Sequence, residues 1–208
     1  MAPSASPRIA PGTPAEIGPV NQTIAWLLGL AAGGGPPHVF TTLARHRRLF
    51  RRWLRFAGAL MPGGILPRQQ TELLILRVAH NCGCVYEWGH HARLGRAAGL
   101  SAEDVERVRR GPDEQGWSQD QQLLLRAADE MHEHRTISDG LWERLRPAYT
   151  DPELIEICML VGHYEMLAMT LNALAVAPDA PASGPSSAAA LVLRAMSGRS
   201  APRHGSGG

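Results

Sequence analysis

Lysine is absent from this chain: all 21 basic side chains are arginine, set against 19 carboxylates for a formal net charge of +2. A balance that even gives no electrostatic reason to expect nucleic acid or an anionic membrane as partner. The missing lysine, beside abundant alanine, glycine and proline, reads as a high-GC coding bias and carries little functional weight. Cysteine is scarce as well. Cys82, Cys84 and Cys158 are too few for a disulfide framework in 208 residues, so free thiols and a reducing, cytoplasmic setting are expected. Period-2 alternation is missing throughout, which leaves no candidate strands. No apolar stretch reads as long enough to span a membrane, and no charged start followed by an apolar run marks a secretory leader. A soluble protein is expected.

What is present is helical. Residues 1–19 hold five prolines and no apolar periodicity, and are expected to form a disordered arm. Residues 20–177 should make one all-α helical bundle, and 178–208, again rich in Ala, Pro, Ser and Gly, a disordered tail in which 188–196 could form an isolated helix. Within the bundle, helices are expected over 21–32, over 38–61 with a break near Arg48, and from Pro67 through a strongly apolar run to Ala79 that loosens over 80–83. Further helices are expected from Cys84 to 98, from Ser101 to 110, from Ser118 to 134, from Ser138 to 149 and from Pro152 to 176. The arginines at 45–55 read as a solvated or subunit-facing helix surface whose stems cover apolar neighbours, and no nucleic-acid partner is expected.

The chemistry concentrates between Glu72 and His91. At about 100° per residue, Cys84, Glu87 and His91 fall within roughly 60° of one another on one helix, flanked by Trp88. Glu87 and His91 form an (i, i+4) pair, and Glu72 can reach the imidazole from the preceding helix. A carboxylate on one ring nitrogen fixes the tautomer and raises the basicity of the other, which makes a proton shuttle. Each residue alone admits a bland reading: Glu72 paired with Arg68, Glu87 with His91, Cys84 a small buried hydrophobe. Four on convergent faces favour a site. Glu156 and His163, sharing a face of the last helix, are candidates for the pocket wall together with Trp88. Neither His90/His91 nor His132/His134 has the spacing of a zinc pair, and Cys82-Gly-Cys84 fits neither a zinc knuckle nor a redox pair, so no metal is expected.

The spacing Glu72, Cys84, Glu87, His91 resembles the Glu-x11-Cys-x2-Cys-x3-His frame of the alkylhydroperoxidase D and carboxymuconolactone decarboxylase superfamily, with Glu87 standing where the peroxidase branch has its second cysteine. The resemblance runs over roughly 40–176 and is strongest to the decarboxylase-like members. It implies an all-helical, cofactor-free homo-oligomer, a dimer, trimer or hexamer. The missing second thiol removes the disulfide cycle and leaves an acid/base centre. The expected activity is therefore lyase-like: decarboxylation, isomerisation or a related proton transfer on a small organic acid or lactone. His91 would be the proton donor, Glu72 and Glu87 its partners, and Cys84 a wall of the pocket. The alternatives are a one-cysteine hydroperoxidase using Cys84, resolved by Cys82 or an external thiol, and a binding module without catalysis.

Overall fold

The computed structural model describes residues 6–32 and 34–179. Among the described residues there are ten helices and no strand. They are α1 (Pro14–Ile17), α2 (Pro19–Ala32), α3 (His38–Leu43), α4 (Arg47–Leu60), α5 (Arg68–Asn81), α6 (Val85–Ala97), α7 (Ala102–Arg110), α8 (Gln119–His134), α9 (Asp139–Leu145) and α10 (Asp151–Leu174). The expected starts hold where a side chain caps them. Ser101 and Asp104 complete a capping box, as do Ser118 with Gln121 and Thr150 with Glu153, each satisfying N–H groups that a helix start leaves unpaired.

The hub is α5. Thr71 to Leu76, Val78 and Ala79 are all buried, because α6, α7, α8 and α10 pack around this helix and leave it little solvent-facing surface. A helix so surrounded can hold an ionisable side chain such as Glu72 only with partners at hand. The link to α6 is a tight reversal: Gly83 adopts a left-handed φ of 58°, and the Cys84 N–H closes back onto the Ala79 carbonyl at 2.8 Å. One turn after His91, Gly95 lets the two helices approach. A Cβ there would lie 2.9 Å from Leu100 Cδ1, 3.4 Å from Leu76 Cδ1 and 3.6 Å from Glu72 Cβ.

Three expectations need correction. The arm expected to be disordered over 1–19 lies against the body from residue 6: Arg8 N–H donates to the Leu174 carbonyl and Gly12 N–H to the Thr41 carbonyl, and Ile17 is buried beside Phe50. Arg45 forks onto the Glu16 carboxylate, and Arg47 donates to the carbonyls of Ala15 and Glu16. Composition alone missed this because the arm docks through hydrogen bonds and one apolar anchor instead of a periodic face. At the other end the body extends beyond 177, since the Asp179 carboxylate accepts the His38 N–H at 2.7 Å and the Tyr86 hydroxyl at 2.6 Å. The helix suggested over 188–196 lies outside the described residues. Finally, α10, at 24 residues, is long and apolar enough to cross a membrane by length and composition. It is a core helix, just over half buried against α4, α5 and α8, with Glu156 and His163 among its buried residues.

Candidate active site

Helices α5 and α6 bring Glu72, Glu87 and His91 together as their spacing anticipates. His91 Nδ1 lies 2.7 Å from Glu72 Oε2, and Nε2 lies 3.2 Å from Glu87 Oε2. The second Glu72 oxygen is 2.6 Å from Arg68 Nη2, so the glutamate serves the arginine and the imidazole at once. All three acid/base side chains are buried. Desolvation of the His91 ring pushes its pKa down, but the two carboxylates, Glu72 foremost, overcome it and hold it at about 9. His91 is therefore an imidazolium at neutral pH, clamped on both nitrogens.

Its ring borders a cavity of about 250 Å³, mostly apolar, between α3, α4, α6 and α10. Arg68, Glu87, His90, His91, His163 and Tyr164 supply the polar part of the wall, and Val39, Phe40, Trp53, Leu54 and Leu167 much of the remainder. The Tyr164 ring meets His91 edge-on at 5.2 Å. Two further imidazoles stay neutral. Burial lowers the His90 pKa to about 4, with the His91 charge adding to it, and burial likewise lowers that of His163. Several polar atoms on this wall lack a good partner: Trp53 Nε1 and His163 Nδ1 are buried without a hydrogen bond, and the Tyr164 hydroxyl reaches only the Met61 sulfur at 3.6 Å. A second apolar cavity of about 340 Å³, between α3, α4 and α10, has no carboxylate on its wall.

Other expected site residues fall elsewhere. Cys84 is the N-cap of α6, not part of its regular turns, and its side chain packs into the main core at 1% exposure, beside the first turn of α6 and off the cavity wall. Burial pushes its thiol up to about 11, although the backbone N–H groups of Glu87 and Tyr86 pull the other way. Trp88 faces away from the cavity, under the Arg109 guanidinium at 3.7 Å and beside the cluster of Leu73, Leu76 and Trp117. Glu156 is structural: its oxygens accept the N–H groups of Ile65 and Leu66 at 2.7 and 3.1 Å, pinning the loop before α5. His163 is on the cavity wall, as expected. Sequence reasoning missed Trp53, Tyr86, His90 and Tyr164 as wall residues. The only signal for any of them was the aromatic–glutamate pair that recurs as Tyr86-Glu87 on α6 and Tyr164-Glu165 on α10.

A family model described as the carboxymuconolactone decarboxylase family matches residues 47–130, a segment that contains Glu72, Cys84, Glu87 and His91. That segment is similar to the carboxymuconolactone decarboxylase family. Solved structures share the all-helical fold. A peroxidase-related protein from Ralstonia eutropha JMP134, described as an alkylhydroperoxidase AhpD core, is 20% identical with a TM-score of 0.73, covering 84% of this chain and 94% of its own. A peroxidase-related protein from Silicibacter sp. TM1040 is 18% identical with a TM-score of 0.74, covering 88% and 97%. A cysteine-to-alanine variant of the debrominase Bmp8, in complex with 2,3,4-tribromopyrrole, is 12% identical with a TM-score of 0.71, covering 93% and 99%. No curated protein matches the chain in sequence. At these identities the likeness establishes the fold and leaves the chemistry to this chain's own residues.

Proposed function

We propose that this chain is a carboxymuconolactone decarboxylase-like acid/base enzyme that moves a proton on a small, mostly apolar organic acid or lactone, by decarboxylation, isomerisation or a related step. The observation that carries this reading is the His91 imidazolium, buried at the cavity wall with a carboxylate on each nitrogen. The two contacts are unequal, and the inequality supports a division of roles. The 2.7 Å bond to Glu72 holds the Nδ1 proton and the ring orientation, while the 3.2 Å contact to Glu87 leaves the Nε2 proton free to transfer. In a decarboxylation the bond to the carboxylate carbon breaks, carbon dioxide leaves, and the electron pair on the remaining carbon takes the Nε2 proton. His91 is then neutral with its tautomer fixed by Glu72. The apolar wall limits water that would otherwise supply the proton unselectively.

Arg68, at the cavity wall with guanidinium donors beyond the one directed at Glu72, suits a substrate carboxylate. Trp53 Nε1 and His163 Nδ1 offer anchor points for a carbonyl or ring heteroatom. The cavity volume and the tribromopyrrole held by the debrominase both support a substrate of about one ring. The raised pKa of Cys84, and its place off the wall, count against a hydroperoxidase working through that thiol. Exchanging His91 for alanine should lower kcat/KM on a responsive member of a lactone-acid panel by about 10²–10⁴-fold. Unchanged turnover would remove the role.

A homo-oligomer is part of the same proposal. Ile155, Met159, Gly162, Met166 and Met169 recur at alternating four- and three-residue steps along the exposed face of α10, the spacing of a seam between two helices. A second copy presenting the same stripe is the occupant that this pattern fits. Light scattering should show a multimer that the double variant Met159→Glu, Met166→Glu reduces to monomers. A wild-type monomer at micromolar concentration would end the idea.

A further inference from the structure

Away from the cavity, at the far end of α5, three side chains from three helices converge. Cys82 caps the C-terminus of α5, His132 lies in the last turn of α8, and Glu165 projects from the middle of α10. One ligand atom from each, the thiol sulfur, an imidazole nitrogen and a carboxylate oxygen, lie within 4.8 Å of one another. The Cys82 sulfur is 3.9 Å from His132 Nδ1, and the same nitrogen is 2.7 Å from Glu165 Oε1. That shared nitrogen decides what the cluster is for. A thiol–imidazole–carboxylate relay needs the thiol on one ring nitrogen and the carboxylate on the other; here both face Nδ1, so the three donors point at a common centre.

We propose that Cys82, His132 and Glu165 form a zinc(II) site with an open position. A thiolate, an imidazole and a carboxylate are the donor types that zinc combines, and its bond lengths place tetrahedral donors about 3.3–3.6 Å apart. The observed 3.9 and 2.7 Å bracket that range and the third pair lies within 4.8 Å, so side-chain rotations that move the donors by up to about 1 Å seat the ion. The backbone is already set for it: the Cys82 N–H bonds to the Val78 carbonyl, and the Cys82 carbonyl accepts the Asn172 amide at 2.9 Å, tying the thiol's own residue to α10. The His132 and Glu165 side chains are 30% and 13% exposed, so water can fill the fourth position and the ion can exchange. On binding, the Cys82 thiol gives its proton to solvent and its sulfur lone pair to the metal, with no change of oxidation state. The site clamps the ends of α5 and α8 to the middle of α10 and is independent of the acid/base reading of the cavity.

Cobalt(II) provides the test, on the full chain stripped of metal and kept reduced. One equivalent should produce a sulfur-to-cobalt charge-transfer band in the near ultraviolet and intense visible bands of a four-coordinate ion, and zinc should displace both. Cys82→Ser should abolish the charge-transfer band. His132→Gln and Glu165→Gln should weaken binding by about tenfold or more, and Cys158→Ser should leave it unchanged. Circular dichroism checks that each variant keeps its helices; the His132 and Glu165 variants carry the test if Cys82→Ser does not fold. The proposal fails if the wild type gives no charge-transfer band, gives only weak octahedral absorption, or keeps the sulfur band in Cys82→Ser.

Discussion

Two histidines in this fold meet a glutamate at the same 2.7 Å, yet the two pairs sit in opposite circumstances. His91 and Glu72 lie between α5 and α6 with side chains 4% and 0% exposed, and a second carboxylate, Glu87, stands on the far ring nitrogen. His132 and Glu165 lie where the end of α8 meets the middle of α10, 30% and 13% exposed, and the third group there is a thiol. Distance alone would rank the pairs as equal. Burial separates them, because the attraction between unlike charges grows as water is excluded and the cost of leaving either charge unpaired grows with it. The inner pair is suited to holding a proton at a fixed place beside a cavity, and the outer cluster to exchanging a ligand with solvent.

The comparison predicts its largest effect at Glu72. Glu72→Gln leaves the His91 imidazolium and Arg68 each short of a buried partner, and should cost about 3–5 kcal/mol in urea unfolding. The same substitution should also change how stability follows pH. The His91 pKa is raised in the fold, from 6.5 to about 9, so the stabilisation it provides is complete below pH 6.5 and is lost as pH rises through 9. That contribution is about 3 kcal/mol in the wild type, and Glu72→Gln should shrink the change across the window. A variant whose stability falls between pH 6.5 and 9 as steeply as the wild type's would show that Glu72 does not hold the proton.

How far the sequence reveals each region follows from how local its geometry is. Glu87 and His91 stand one turn apart on α6, so helical spacing alone placed them together; Glu72 required only a hairpin between consecutive helices, and a glycine-bearing turn between two apolar runs signals one. Cys84 misled because, as the N-cap, it stands one residue outside the regular turns that the wheel describes, and its thiol is buried in the core instead of lining the cavity. Glu156 and Trp88 misled for a different reason. A buried carboxylate or a large aromatic can serve a loop or a satellite cluster as readily as a cavity, and only packing tells which. The outer cluster was invisible to spacing rules, since its ligands stand 50 and 33 residues apart and meet only once α5, α8 and α10 are packed. Zinc motifs with short spacings record one way of gathering ligands, and a helical bundle provides another.

The smallest predicted effect tests the opening contrast most directly. Glu165→Gln in the metal-free protein removes the charge from a contact as short as the one Glu72 makes. Solvent reaches His132 there, so the imidazole can exchange its lost partner for water, and the loss in urea unfolding should stay below about 1 kcal/mol. Measured beside Glu72→Gln under one buffer, the pair of variants separates burial from distance: a loss at Glu165 as large as that at Glu72 would mean that contact geometry, not desolvation, sets the strength of both. The acid/base reading would then lose its physical basis, because it depends on the low-dielectric setting of His91 to hold the proton above neutral pH.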